Sequence, residues 1–219
     1  MKTKSFLIRP LAIGALFAVC SVSHAAFTVF TTAGSFAAAT NTPGVDHFTD
    51  LSTTTITVSP TNRSAGPYNY TASAATSNFI GSGTAADPSL STFLDRDSIT
   101  FSNFSGGPMA IGGLFYDTNT SGASMSGQIT IVATDSLGAQ ATHTLVGPPS
   151  ANFLGFLSDG TITSLVVTAK QPPVAHHFPS VDNLRLAMGP VSAVPEPETY
   201  ALIFAGLSAV GFMTRRRRR

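Results

Sequence analysis

Between Phe27 and Pro190 the chain consists of short runs of β-branched and aromatic residues, each closed by Gly, Pro, Asn, Asp or Ser. Thr55 to Val58, Ile99 to Phe101, Ile129 to Val132, Thr142 to Val146 and Ile162 to Val167 are the clearest. Branched and ring side chains fit a pleated, half-buried surface, and the residues between the runs are those that bend a backbone. Ile56 with Val58, and Ile99 with Phe101, alternate strictly, so each pair should turn to a core while its neighbours face water, as in antiparallel sheets. One helix is expected before the C-terminal tail, the short Ala-rich stretch Thr32 to Thr40, with Thr31 or Thr32 as its cap. The fold class is therefore all-β, an antiparallel β-sandwich of about eight to ten strands. No internal repeat points to a solenoid or propeller.

The ends of the chain follow other rules. Lys2, Lys4 and Arg9 precede an apolar stretch, Leu11 to Val22, that is short for a bilayer. Ser23 and Ala25 then stand three and one residues before a cut that would make Ala26 the first mature residue, the three-part layout of a secretory signal. The alternative is a buried N-terminal helix. Cys20 is the single cysteine and would leave with the signal. Val19 stands before it where a lipoprotein needs a small residue. Neither a disulfide nor a cysteine nucleophile then remains, and about 165 residues between the signals suit one domain with an ordinary core. The division is a signal peptide over 1–25 with an N-terminal signal helix, a β-sandwich over 26–190, and a linker with tail over 191–219.

Near-neutral total charge hides an acidic middle. From Phe27 to Pro190 there are nine aspartates, no glutamate and four Lys or Arg, a surplus of five negative charges. Phosphate neutralisation needs clustered cations, so nucleic acid is set aside as a partner.

Val194-Pro195-Glu196-Pro197-Glu198-Thr199 precedes the apolar segment 200–213, after which Thr214 and Arg215, Arg216, Arg217, Arg218 and Arg219 end the sequence. The prolines remove donors and keep the neck extended, open to a processing enzyme. The 14 apolar residues are helical in character and can enter hydrocarbon. Five arginines, at about 2.5 to 3.5 kcal/mol each for the membrane centre, stay on the cytoplasmic side as a stop-transfer signal and leave the domain outside.

This tail closely resembles the PEP-CTERM sorting signal of Gram-negative bacteria. The resemblance covers Val194 to Arg219. It implies that Pro195, Glu196 and Pro197 are the triplet read by exosortase, a membrane-embedded enzyme of cysteine-protease type, which releases the domain toward the cell surface or matrix. A plain C-terminal anchor is the alternative. A second resemblance rests on Asn152 to Val167 with Val181 to Leu184, whose aromatic, Gly and Asp-Asn positions are similar to the closing strands of jelly-roll domains that often precede such tails and are broadly similar to carbohydrate-binding modules. It implies a jelly-roll-like sandwich.

No His-Glu-x-x-His, Gly-x-Ser-x-Gly or P-loop pattern occurs, and no catalytic residue is assigned. Asp95-Arg96-Asp97 is the most enzyme-like cluster and reads better as a solvated turn with an internal ion pair. His176 and His177 follow Pro172-Pro173. Adjacent residues of an extended segment point to opposite sides, so they read as a surface loop, not a shared metal grip. Calcium is the one cofactor kept open, with Asp159, Asp182 and Asn183 as oxygen ligands near strand ends, although Asp and Asn beside Gly are also ordinary turn chemistry. Tyr68, Tyr70 and Tyr116 are the sugar-stacking candidates in a chain without Trp, and the N-x-Ser/Thr triplets at Asn62, Asn69, Asn103 and Asn119 receive no function.

The expected protein is exported and non-catalytic, acting in the cell envelope or extracellular (biofilm) matrix. A secreted glycan-binding module is the alternative, and a secreted hydrolase the third reading. Its expected partners are the Sec export machinery, exosortase, the inner membrane through the tail's hydrophobic helix, and an exopolysaccharide.

Overall fold

The structure, a computed structural model, describes residues 27–147 and 152–190, together with Leu207. The strands are β1 (Phe27–Phe30), β2 (Asn41–Asp46), β3 (Thr61–Ala65), β4 (Tyr68–Ala74), β5 (Phe79–Thr84), β6 (Asp87–Thr92) and β7 (Ser98–Ser102). They continue with β8 (Ala110–Thr118), β9 (Ser124–Met125), β10 (Gly127–Asp135), β11 (Gln140–Gly147), β12 (Phe153–Ser158), β13 (Ile162–Ala169) and β14 (Phe178–Met188). One helix, α1 (Ala33–Ala38), accompanies them.

All strand pairings are antiparallel, in two sheets. The first has eight strands in the order β1-β12-β8-β14-β6-β5, with β2 also on β14 and β9 on β8; the second has six, in the order β11-β10-β13-β7-β4-β3. Their inner faces share one core. Leu90, Phe115, Leu154, Phe156, Val181 and Leu186 from the first sheet meet Tyr70, Phe101, Ile131, Leu165 and Val167 from the second. Removing each such side chain from water contributes about 1.5–3 kcal/mol, so this layer holds the sheets together.

The described residues form 14 strands, more than the expected eight to ten. The extra ones, such as β2 (NTPGVD), β3 (TNRSA) and β6 (DPSLST), are made of turn-type residues, and only their neighbours' ladders make them extended. Ile99 and Phe101 are fully buried, as their alternation requires. Ile56 and Val58 are not: they are 44% and 70% exposed, and only Thr57 bridges to Phe79. Their run lies beside the edge strand β5, and Pro60 cannot donate to a continued ladder.

The helix appears where expected. Thr32 caps it, accepting from the Ser35 N–H at 3.2 Å. Phe36 is buried in a second apolar cluster with Ala110, Phe153 and Ala187, on the outer side of the eight-stranded sheet. Phe36 needs Gly155 beneath it, because a Cβ there would stand 2.4 Å from its ring.

β14 is the longest strand, and it changes partner midway. Ser180 and Val181 pair with β6, Leu184 to Met188 pair with β2, and a register break from Asp182 to Arg185 lies between. Asn183 adopts a left-handed φ of 50° there.

Candidate functional site

Asp95-Arg96-Asp97 is a turn, but its ion pair is not internal. Asp95 Oδ2 lies 2.5 Å from His176 Nδ1, and that hydrogen bond holds the Asp95 carboxyl below its usual range. Asp97 is buried and accepts from the Thr76 N–H at 3.0 Å and hydroxyl at 2.7 Å. The turn is spent on fastening the 76 and 176 regions, which a two-residue spacing alone does not reveal.

His176 and His177 do point opposite ways. His176 is exposed, whereas His177 is buried, which corrects the surface-loop reading for that residue. Its Nδ1 is 3.1 Å from Asp117 Oδ2, between the sheets. Burial raises the Asp117 pKa, and the His177 hydrogen bond works against that rise. Gly127 leaves the room for this pair, since a Cβ there would meet Asp117 Oδ2 at 1.5 Å. Gln171 then ties the loop: its amide accepts from the His177 N–H and donates to the carbonyls of His177 and Asp95.

Of the three calcium candidates, Asp159 lies far from Asp182 and Asn183. Asp182 is level with Leu114 on β8, which is level with Phe153 on β12, and Asp159 stands six residues further along, about 20 Å away at strand rise. Asp182 and Asn183 build the break in β14 instead. Asp182 accepts from the Asn183 N–H at 2.6 Å and from its side-chain amide at 2.7 Å, and His47 Nδ1 meets Asn183 Oδ1 at 2.5 Å. Among the described residues no three His, Cys, Asp or Glu side chains converge as a metal group.

Tyr68 and Tyr70 are core residues, each 2% exposed, and neither presents a ring to solvent. Their hydroxyls donate to the Thr42 carbonyl and to Asp46 Oδ2. Tyr116 is half-buried, and burial raises its pKa. Asn62, Asn69 and Asn103 gather on the outer side of β3 and β4: Thr71 Oγ1 donates to Asn62 and accepts from Asn103, and the Asn69 amide donates to Ser105. Asn119 caps a turn instead.

Sequence reasoning missed a cleft of about 330 Å³ on the face of the eight-stranded sheet turned away from the core. Alternation places it there, because Ser89 and Ser91 flank the core residue Leu90, and Ser180 adjoins the core residue Val181. Beneath it runs a buried hydroxyl network. Ser82 meets Ser89 at 2.6 Å, while Ser180 meets Thr118 at 2.9 Å and Ser91 at 3.0 Å. Two segments wall the cleft. Thr53 follows Ser52, whose carbonyl accepts from the Gly81 N–H at 2.9 Å, and the 119–122 turn is held by Gly83 N–H to the Gly122 carbonyl at 2.8 Å. Phe93 lies on its lining and is 46% exposed. No side chain lining it is charged. The one hint in the sequence is that β5 and β6 carry serines where a buried strand would carry branched apolar residues.

The signal-cleavage residues Ser23, Ala25 and Ala26, the triplet Pro195, Glu196 and Pro197, and the stop-transfer residues Arg215 to Arg219 lie outside the described residues, as does segment 200–213 apart from Leu207. Among the described residues no helix is long and apolar enough to cross a membrane.

Solved structures similar to this chain include a family 29 carbohydrate-binding module, at 16% identity and a TM-score of 0.35, covering 65% of this chain and 97% of that one. The CBM51-2 and INT domains of ZmpB from Clostridium perfringens match at 9% identity and a TM-score of 0.34, covering 68% of this chain and 32% of that one. No curated protein matches the chain. A family match falls on residues 193–219, where the neck, the apolar segment and the arginines stand in order. The chain therefore carries a PEP-CTERM protein-sorting motif at its C-terminus, the mark of an exported exosortase substrate.

Proposed function

We propose that this protein enters the Sec export machinery through residues 1–25 and is held in the inner membrane by segment 200–213. Exosortase then releases it at Pro195-Glu196-Pro197 as a non-catalytic component of the cell envelope or extracellular matrix. The observation that carries this reading is the sorting motif over residues 193–219. The non-catalytic part is supported by the enzyme-like side chains having structural partners: Asp95 with His176, Asp97 with Thr76, and Asp117 with His177. The folded unit is a jelly-roll-like sandwich.

Glycan binding is the second reading. The uncharged, hydroxyl-lined cleft favours it over a hydrolase, because a hydrolase needs a pair of titratable groups facing the substrate.

Fractionation of the native host with intact-mass measurement tests the export reading. The released protein should begin at Ala26 and lack the apolar segment with its arginines. A released form that still carries Met1, or protein confined to the cytoplasm, would contradict it.

A further inference from the structure

We infer that the cleft between Thr53 and the 119–122 turn binds a neutral saccharide chain, with Phe93 as the platform for the apolar face of a sugar ring. The inference rests on the glycan-binding reading and assigns it a site and a chemical class.

Three features of the cleft define the ligand. First, its volume, about 330 Å³, lies at the lower end of the roughly 300–1,000 Å³ typical of small-ligand sites, enough for a short stretch of chain. Second, its lining offers hydroxyl, amide and backbone groups without a charged side chain, on a domain with a surplus of five negative charges. A polyanion would meet repulsion and no cation, so an acidic polysaccharide is disfavoured and an uncharged polyhydroxyl ligand is not. Third, the hydroxyl layer beneath the lining is fixed before a ligand arrives. Ser82, Ser89, Ser91, Thr118 and Ser180 are each at most 2% exposed and hold one another by hydroxyl hydrogen bonds, so little ordering cost is left for binding.

Phe93 supplies the apolar element. It is half-exposed, yet its backbone is fixed by its N–H on the Asn78 carbonyl at 2.9 Å and by the neighbouring Thr92 hydroxyl on the Leu94 carbonyl at 2.8 Å. An exposed ring on a rigid strand end is a preorganised surface for sugar C–H groups, while the less buried lining hydroxyls of Thr53 and Thr120 take the ring's polar edge. The opposite wall is equally well anchored. Asn119 Oδ1 accepts from the N–H groups of Ser121 and Ala123 at 3.0 Å each, so the turn that faces the cleft is braced by its own side chain.

Affinity electrophoresis of the protein as released by its native host, through gels containing dextran, laminarin, galactomannan or the polyanion polygalacturonate, tests the site. At least one neutral polymer should retard the protein and polygalacturonate should not. Phe93→Ala should weaken the retention by about tenfold or more, Phe93→Tyr should keep it, and Asn69→Ala on the other sheet should leave it unchanged. Circular dichroism of Phe93→Ala checks that the variant is folded. Retardation by a neutral polymer that Phe93→Ala leaves intact would overturn this site while sparing glycan binding as such. Retardation by polygalacturonate alone would likewise overturn the neutral-saccharide site while sparing glycan binding, and no retardation by any of the four polymers would overturn both. Release of the protein from the membrane is independent of either result.

Discussion

Arg63 joins two elements through two carboxylates and a ring. Its guanidinium donates to Asp46 at 2.7 and 2.9 Å and to Asp50 at 2.6 and 3.2 Å, and it stands 4.7 Å from the centre of the Phe48 ring. Burial alone would lower the Arg63 pKa, but the hydrogen bonds to Asp46 and Asp50 outweigh it and keep the group charged. The two partners differ in worth. Asp46 and Arg63 are 8% and 7% exposed at the side chain, whereas Asp50 is 70% exposed and screened by water. Arg63→Ala removes the cation from the buried Asp46 carboxylate and leaves it only the Phe48 N–H and Tyr70 hydroxyl, so urea denaturation should report a loss of about 3–5 kcal/mol. Asp50→Ala should cost about 1 kcal/mol or less. Two glycines separate in the same way. A Cβ on Gly44 would stand 1.9 Å from the Ala65 carbonyl oxygen, a backbone atom that cannot turn aside, so Gly44→Ala should cost about 1–3 kcal/mol or more. Gly34 in α1 has nothing within 4 Å of that position, and Gly34→Ala should stabilise by about 0.5–1 kcal/mol. Melting temperatures of the two variants should move in opposite directions.

At the level of elements, the β10–β11 turn depends on one carboxylate. Asp135 Oδ1 accepts from the N–H groups of Leu137 and Ala139 at 2.9 and 2.8 Å, and its Oδ2 takes the Ser158 hydroxyl at 2.5 Å, linking the turn to the end of β12. Burial pushes its pKa up, but these hydrogen bonds prevail and hold it below 3.8. A carboxyl whose folded pKa is depressed gives its full stabilisation above the unfolded value and loses it as pH falls through the folded one. Asp135→Asn should therefore lower stability at pH 7 by about 1–3 kcal/mol and flatten the acid limb below pH 3.8, read from denaturation midpoints across pH. Asp117 works with the opposite sign, since burial raises its pKa and its contribution falls as pH climbs above 3.8. Strands with branched alternation, β7, β10, β11 and β13, were legible in the sequence, as were the cap and position of α1. β2, β3 and β6 were not, because polar residues become extended there only through long-range pairing. Thr55 to Val58 misled for the converse reason: its composition fits a strand, but it lies beside an edge with one bridge to hold it.

For the whole molecule, the sequence spoke most clearly about destination. The sorting motif is local and linear, so contiguous residues carry it and no fold is needed to read it. The candidate site is the reverse. The cleft draws Thr53, Ser82, Phe93, Asn119 and Phe178 from distant parts of the chain, and only the register of β5, β6, β14 and β8 brings them together. The separation of Asp159 from Asp182 and Asn183 was hidden on the same ground, since nearness to strand ends says nothing about which end of the sheet each strand brings a residue to. Replacing Arg215 to Arg219 with serine should weaken retention of the apolar segment by loss of the stop-transfer charges, giving periplasmic protein with its tail attached. The central claim is that Pro195-Glu196-Pro197 is read by a processing enzyme. The direct measurement is membrane fractionation and intact mass of a variant with alanine at all three positions, compared with wild type in the native host. The variant should accumulate uncleaved in the inner membrane while the wild type is released without its tail; a variant released and trimmed like the wild type would contradict that reading.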